Sequence, residues 1–225
     1  MKSFLKRLAP GRPALWLAVL LIMPPVWADD VLLIVGDSLS AGYGVTRERA
    51  WPSLLERRLA SHAIKVRVVN ASISGETSAS GRARLPALLV RHRPRWVLIE
   101  LGANDGLRGL SLESLRQSIE AMQRMVIDAG AWPILAGMKL PPNYGPGYAG
   151  GFEKIYAAPV PGGLLIPFLL EGVAGQPDLN QADGIHPNAE GHQRVLEHVW
   201  LTLEPLFMTS TQVEGKNQTV LDSQK

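Results

Sequence analysis

Five short runs of apolar, often β-branched residues recur along the chain, and their spacing is the strongest constraint on its fold. They occupy residues 31–35, 66–69, 96–101, 132–136 and 164–168. None alternates strictly between apolar and polar positions, which is typical of strands buried on both faces of a parallel sheet. Intervening segments such as 51–59, 112–125 and 195–203 carry apolar residues at helical spacing. This alternation predicts a doubly wound α/β sandwich.

The first 28 residues have the composition of a secretory signal. Four basic residues and no acidic residue accompany an apolar run from Ala14 to Met23, and Ala28 is a small residue suited to cleavage. The run is shorter than the roughly 20 residues that span a bilayer, and Pro24 and Pro25 interrupt its end, which favours cleavage over a permanent anchor. We therefore expect a signal peptide at residues 1–28 and secretion to the periplasm.

The remaining 197 residues are enough for one domain, which we place at residues 29–208. Four of the 23 basic residues lie in the signal, which leaves 19 against 20 acidic residues and gives no reason to expect nucleic acid as a partner. The chain has no cysteine, so disulfides and thiolate chemistry are excluded. Residues 209–225 are polar and without periodicity, and we expect a disordered tail there.

Four segments carry reactive or polar residues where strands should end. Ser38 follows the first apolar run, Gly75 lies beyond the second, Asn104 follows the third, and Asp183 and His186 precede the closing helix. Open α/β sheets bind ligands at the carboxyl ends of their strands, so we expect these residues to meet at one edge.

The types of these residues indicate acyl transfer. A serine hydroxyl needs a neighbouring base before it can attack, and His186 can take the proton of Ser38. Asp183 stands three residues earlier, where a tight turn would let its carboxylate orient the imidazole. The following proline, Pro187, fits the first position of a helix.

Attack on an ester creates an oxyanion that needs donors already aimed at it. The candidates are the backbone N–H groups of Ser38 and Gly75 and the side-chain amide of Asn104. Gly75 has no side chain to block close approach. For Asp37 we favour a structural role in the turn that presents Ser38.

The motifs of these segments resemble those of the SGNH-hydrolase family of GDSL-type esterases, in particular its secreted branch of acyl-CoA thioesterases, lysophospholipases and arylesterases. They are GDSLSAGYG at 36–44, NASISGET at 70–77, GANDGLRG at 102–109, LPPNYG at 140–145 and DGIHPN at 183–188. The resemblance covers about residues 30 to 205. It implies a three-layer α/β/α fold around a mostly parallel five-stranded sheet, a catalytic triad of Ser38, Asp183 and His186, an acyl-enzyme intermediate, and neither metal nor cofactor.

The expected substrates are simple acyl esters, lysophospholipids and thioesters, handled by a monomer with at most peripheral membrane contact. An apolar rim formed by Leu107, Leu110, Leu140 and Tyr144 indicates an open groove for linear acyl chains. Two alternatives stay open: a carbohydrate or peptidoglycan O-acetylesterase, and a noncatalytic lipid- or glycan-binding module. The joint presence of Ser38, Asn104, Asp183 and His186 argues against the module, because a binding protein has no need of all four.

Two further signals receive a plain structural interpretation. The segment 145–150 matches G-x-G-x-x-G, but the prolines around it favour a chance match over a dinucleotide site, and the family resemblance implies a mobile loop near the groove. The four other histidines, His62, His92, His192 and His198, are expected to be solvated or capping residues.

Overall fold

A single parallel sheet forms the centre of the molecule. The computed structural model describes residues 30–157 and 159–222, with side chains described as far as residue 208, so the expected signal peptide at 1–28 lies outside the described residues. The five described strands of the sheet are β1 (Asp30–Gly36), β2 (Val66–Asn70), β3 (Trp96–Glu100), β4 (Trp132–Ala136) and β5 (Leu164–Ile166). Neighbours pair in the order β2-β1-β3-β4-β5, and every pairing is parallel. The predicted α/β fold and all five predicted strands are confirmed.

In the described residues, seven α-helices connect or follow the strands. They are α1 (Ser38–Ala41), α2 (Trp51–Ser61), α3 (Ser78–His92), α4 (Ala103–Leu107), α5 (Leu112–Asp128), α6 (Pro146–Ile155) and α7 (Ala189–Asp222). Single turns of 3-10 helix occur at Arg47–Arg49, Pro142–Tyr144 and Pro177–Leu179. Side chains cap several helix starts: Thr77 accepts from the Ser80 N–H at α3, and Ser111 accepts from the Ser114 N–H at α5.

Successive residues of each strand point to opposite helix layers. Leu32 and Ile34 of β1 belong to a core shared with α2 and α7, whereas Leu33 and Val35 belong to a second core shared with α3 and α5. All four side chains are fully buried. Each such burial contributes about 1.5–3 kcal/mol, which explains why the strands read as continuous apolar runs instead of alternating ones.

The sheet order brings three loop segments to one edge. The strands β2, β1 and β3 are adjacent and parallel, so the segment 71–77, helix α1 and helix α4 all begin at the same end of the sheet. A fourth loop reaches this edge before α7. It is closed by an antiparallel bridge between Asn180 and Pro187 and by a hydrogen bond of 2.8 Å from the Gln181 N–H to the His186 carbonyl.

Three local expectations differ from the structure. The segment 145–150 was expected to be a loop, but Pro146 begins α6, because a proline is well suited to the first turn of a helix and Phe152 anchors that helix in the core. Pro187 lies before α7 instead of inside it, and Asn188 caps the helix by accepting from the Glu190 and Gly191 N–H groups at 3.0 Å.

The closing helix is also longer than expected. Disorder was expected from residue 209, whereas α7 continues in the structure to Asp222, and residues 223–225 lie outside the described part. A helix that is already nucleated extends at the cost of ordering one residue per added hydrogen bond, so weak periodicity does not end it. No helix in the described residues is long and apolar enough to cross a bilayer.

Candidate active site

Ser38 opens α1 directly after β1. The Asp37 carboxylate caps this helix by accepting from the Leu39 N–H at 3.0 Å, and Gly42 ends it with a φ of 79°. Gly36 is required before the turn, since a Cβ there would lie 2.4 Å from Glu100 Oε2. The Ser38 N–H stands in the first turn of the helix, where backbone donors have no intrahelical partner.

His186 lies between the Ser38 hydroxyl and the Asp183 carboxylate. Its Nε2 is 2.8 Å from Ser38 Oγ, and its Nδ1 is 2.7 Å from Asp183 Oδ2. Because an ionised carboxylate only accepts hydrogen bonds, Nδ1 carries the hydrogen, and Nε2 of the neutral ring is free to accept from the hydroxyl. The three predicted triad residues are therefore brought together, in the tautomer that nucleophile activation needs.

A local turn orients Asp183. Its Oδ1 accepts from the backbone N–H groups of Ile185 at 2.9 Å and His186 at 3.0 Å, while Oδ2 faces the ring. Partial burial acts to raise the pKa of Asp183, but these donors and the His186 ring outweigh it and lower this pKa to about 2. The carboxylate consequently stays ionised throughout the neutral range.

The two other predicted oxyanion donors face the same region. Gly75 has a φ of 81°, and it lines the same cavity as Ser38 and Asn104. The Asn104 Nδ2 donates to Asp37 Oδ2 at 3.0 Å and to the Glu76 carbonyl at 3.1 Å. Since an amide nitrogen has two hydrogens, Asn104 must share or release one of these bonds when it donates to an oxyanion.

Two buried carboxyl groups lie beneath the nucleophile. Glu100 Oε2 accepts from the Ser40 hydroxyl at 2.6 Å and from the Asp37 N–H at 3.2 Å. Burial first, and the charge of Asp37 next, raise the pKa of Glu100 well above its ordinary value. Burial also raises the pKa of Asp37 to about 6, although the N–H groups that donate to its carboxylate and the charge of His186 act to lower it. Both carboxyl groups are therefore harder to ionise than exposed ones, because burial disfavours the charged form.

A cavity of about 300 Å³ opens over the hydroxyl. Besides the polar residues above, it is lined by Leu39, Tyr43, Ala103, Leu107 and Ile185. A larger groove of about 570 Å³ between α5 and residues 154–161 contains no serine or histidine. In the described part of the chain, no three histidine or acidic side chains converge as a metal site would require.

Comparison with known proteins agrees with this geometry. The family model for the GDSL-like lipase/acylhydrolase family matches residues 34–194, which contain all four site segments. The chain belongs to the GDSL-like lipase/acylhydrolase family.

Relatives within this family share most of their length with the chain. It is 50% identical to esterase TesA of Pseudomonas aeruginosa over 182 residues, which are 80% of this chain and 90% of the relative. It is 47% identical over 184 residues to the thioesterase 1/protease 1/lysophospholipase L1 of Escherichia coli, covering 80% and 86%. A crystal structure of TesA matches with a TM-score of 0.76 at 50% identity, covering 79% of this chain and 99% of the other. The resemblance inferred from the motifs is confirmed.

The predicted groove residues of this family member lie in different places. Leu107 lines the cavity, whereas Leu110, Leu140 and Tyr144 do not. Leu140 is buried against Gly106, and the Tyr144 hydroxyl donates to the Leu107 carbonyl at 3.0 Å. Leu110 is exposed beyond α4. Apolar character alone does not tell whether a loop residue faces the core or a cavity, because both environments favour it.

Several cavity residues of this acylhydrolase were missed, among them Tyr43 and Ile185. The Tyr43 ring packs against the His186 ring with centroids 4.7 Å apart, and Ile185, the residue before His186, lines the same cavity. Both are exposed, at 54% and 39%. Their positions inside the motifs 36–44 and 183–188 were the available signal. Glu100 was also missed, although a carboxylate at the end of an otherwise apolar strand indicates a specific partner.

Proposed function

We propose that this chain is a serine esterase that cleaves carboxylic esters and thioesters by acyl transfer to Ser38. The supporting observation is the continuous hydrogen-bonded series from the Ser38 hydroxyl through His186 to Asp183 at the mouth of a cavity. Membership of the acylhydrolase family supports the same reaction class. A noncatalytic binding module has no need of this arrangement.

In the first half-reaction, His186 Nε2 takes the proton of Ser38 Oγ as the oxygen attacks the acyl carbon. The carbonyl oxygen becomes an oxyanion, which accepts hydrogen bonds from the Ser38 and Gly75 N–H groups and from the Asn104 amide. The ionised Asp183 stabilises the imidazolium formed at His186. When the tetrahedral intermediate collapses, His186 gives its Nε2 proton to the leaving alcohol or thiol, and the acyl group stays on Ser38.

The second half-reaction repeats these steps with water. His186 Nε2 takes a proton from water as the water oxygen attacks the acyl carbon. The bond between that carbon and Ser38 Oγ then breaks, and the proton returns from His186 to Ser38. The carboxylic acid product leaves, and the starting state is restored.

The cavity supports substrates with an apolar acyl group. Leu39, Leu107 and Ile185 provide apolar walls, and the cavity is open to solvent at Tyr43. The Escherichia coli relative is named as a thioesterase and lysophospholipase, and the Vibrio mimicus relative, 44% identical over 174 residues, as an arylesterase. We therefore propose acyl esters, lysophospholipids and thioesters as the substrate classes.

We further propose that the chain is exported through cleavage after Ala28. The basic N-terminus followed by the apolar run from Ala14 to Met23 supports export. N-terminal sequencing of the protein recovered from the periplasmic fraction should begin at Asp29. An intact Met1 on membrane-bound material would contradict cleavage.

The test of the reaction is a substrate panel run on the mature chain and on Ser38→Ala. Wild type should hydrolyse esters, thioesters and lysophospholipids and should be labelled covalently by a fluorophosphonate, whereas Ser38→Ala should do neither. Equal labelling of both proteins would reject Ser38 as the nucleophile. In a series of nitrophenyl esters, preference for medium or long chains is expected. A strong preference for acetate would favour the O-acetylesterase alternative.

A further inference from the structure

The turn that presents the Gly75 N–H lies in an exposed segment after β2. The Glu76 N–H donates to the Ile73 carbonyl at 3.1 Å, and Gly75 has a positive φ, so residues 73–76 form a β-turn with Gly75 at its third position. Gly75 itself is exposed. A single turn bond in solvent does not hold a peptide group in one orientation, because water competes for each partner.

Several other polar groups of this turn are bonded from outside. The Gly75 carbonyl accepts from Arg108 Nη2 at 3.0 Å, and the Glu76 carbonyl accepts from Asn104 Nδ2 at 3.1 Å. The Glu76 carboxylate accepts from Arg84 Nε at 2.5 Å and from Arg84 Nη2. By contrast, the Gly75 N–H donates to no residue in the described part of the chain. The donor expected to face the oxyanion is thus left free while its neighbours are fixed.

The ion pair between Arg84 and Glu76 is well placed to hold the turn. The Glu76 side chain is 4% exposed and that of Arg84 is 24% exposed. Two parallel hydrogen bonds from a planar guanidinium fix the orientation of the carboxylate as well as its distance. Arg84 belongs to α3, so this pair ties the turn to a helix packed in the core.

Arg108 joins the turn to the element that carries Asn104. It caps the C-terminal end of α4, whose second residue is Asn104, and its guanidinium reaches the Gly75 carbonyl. Its only described side-chain partner is that carbonyl, so the bond is not shared with a carboxylate. The two donors outside Ser38 are therefore held relative to each other by Arg108 and by the bond from Asn104 to Glu76.

We propose that Arg84 and Arg108 are positioning residues for the oxyanion hole. Arg84 acts through Glu76 on Asn104, and Arg108, which donates to the Gly75 carbonyl, restrains the backbone of the residue whose N–H is the donor. Neither contacts the substrate. The inference rests on the proposed function, because the donors matter only if an oxyanion forms at Ser38. A misplacement of about 1 Å in such a donor lowers turnover by up to about 10²-fold.

The first test compares Arg84→Met with Arg58→Met. The control is closely matched: Arg58 makes a similar two-bond pair with Glu197, and its side chain is 23% exposed, but it links α2 to α7 away from the turn. Arg84→Met should lower kcat by about 10-fold or more with KM changed less than about twofold. Arg84→Lys should recover part of the kcat that Arg84→Met loses, because lysine keeps the positive charge but cannot make the two parallel hydrogen bonds of the guanidinium. Equal kcat in Arg84→Met and Arg58→Met would overturn the role of Arg84.

A double-mutant cycle separates positioning from general stability. In an Asn104→Ala background the amide is already absent, so Arg84→Met should lower kcat by a smaller factor than it does in wild type. Multiplicative losses would show that Arg84 acts independently of Asn104 and would overturn its assignment. Affinity for an alkylboronic acid, which forms a tetrahedral adduct with serine, should fall in parallel with kcat.

Arg108→Met provides the same test at an exposed position if Arg84→Met does not fold. Its kcat should fall by about 10-fold with little change in melting temperature, and Arg108→Lys should recover part of it. Unchanged kcat in Arg108→Met would overturn the role of Arg108. Failure of the proposed function would be distinct, because Ser38→Ala would then retain wild-type activity.

Discussion

Among single residues, Asn104 does more than offer one donor to the oxyanion, because its side chain also links two segments of the site. Its side-chain nitrogen bonds both the Asp37 carboxylate and the Glu76 carbonyl. Asp37 in turn caps the helix that begins with Ser38. One amide therefore joins the segment of the nucleophile to the turn at Gly75, and its own position is set by both.

We predict that Asn104→Ala lowers kcat by about 10²- to 10³-fold, since one preorganised donor to the oxyanion is lost. KM should change little, because the ground-state carbonyl gains less from the donor than the oxyanion does. Steady-state kinetics with a nitrophenyl ester measure both constants. Asn143→Ala, at an exposed asparagine outside the cavity, is the control. Unchanged kcat in Asn104→Ala would remove this side chain from the hole.

Among secondary-structure elements, α7 supplies the side chain that caps the N-terminus of α2. The residue before α2, Ala50, has no side chain that can cap the helix, and His192 of α7 accepts from the Trp51 N–H through Nδ1 at 3.3 Å. His192 is 1% exposed, so of the two expected roles, solvated or capping, it takes the second. It does cap a helix, but one that begins 141 positions earlier in the chain.

This contact predicts a specific acid sensitivity. Burial, with the charge of His186 next, lowers the pKa of His192 to about 4, whereas an unfolded histidine titrates near 6.5. Because the unfolded chain binds the proton more readily, stability is full above about pH 6.5 and falls as the pH drops toward 4. The loss reaches about 3 kcal/mol at most.

Urea unfolding of wild type and His192→Gln at several pH values measures this effect. Glutamine can still accept a hydrogen bond but does not titrate, so its stability should depend less on pH between 6.5 and 4. Other groups, including Asp37 and Asp183, titrate equally in both proteins and cancel in the comparison. Parallel pH profiles would contradict the assignment.

At the scale of the whole molecule, Phe207 is the last residue along the chain that belongs to the described core. This side chain is fully buried and packs edge-on against Trp96 of β3, with ring centroids 4.9 Å apart. Phe207 thus holds the middle of α7 onto the central sheet. The boundary of the hydrolase domain, proposed at residue 208, lies immediately after this contact.

We predict that deleting residues 209–225 changes the free energy of unfolding by about 0.5 kcal/mol or less, since the described core remains intact. Phe207→Ala should cost about 3–5 kcal/mol, because it leaves a cavity against Trp96. Urea unfolding of both variants gives the comparison. A loss from the deletion as large as that from Phe207→Ala would move the domain boundary beyond residue 208.

Part of the site was predictable because its signals are local. Ser38, Asp183 and His186 were identified from short motifs at expected strand ends, and the structure brings their side chains within hydrogen-bond distance. Leu140 and Tyr144 are residues for which local signals were not sufficient. Both were expected at the cavity on apolar character, but one packs in the core and the other bonds a backbone carbonyl.

The five strands, their order along the chain and the helices with clear apolar periodicity followed from the sequence alone, as did the chemistry present at the strand ends. Hydrophobic periodicity and turn-forming residues act over a few positions, so they can be read without a fold. The partners of Glu100, Arg84 and His192 became visible only in the folded protein. Those contacts join separate elements, and they depend on strand order, register and helix packing that no local pattern encodes.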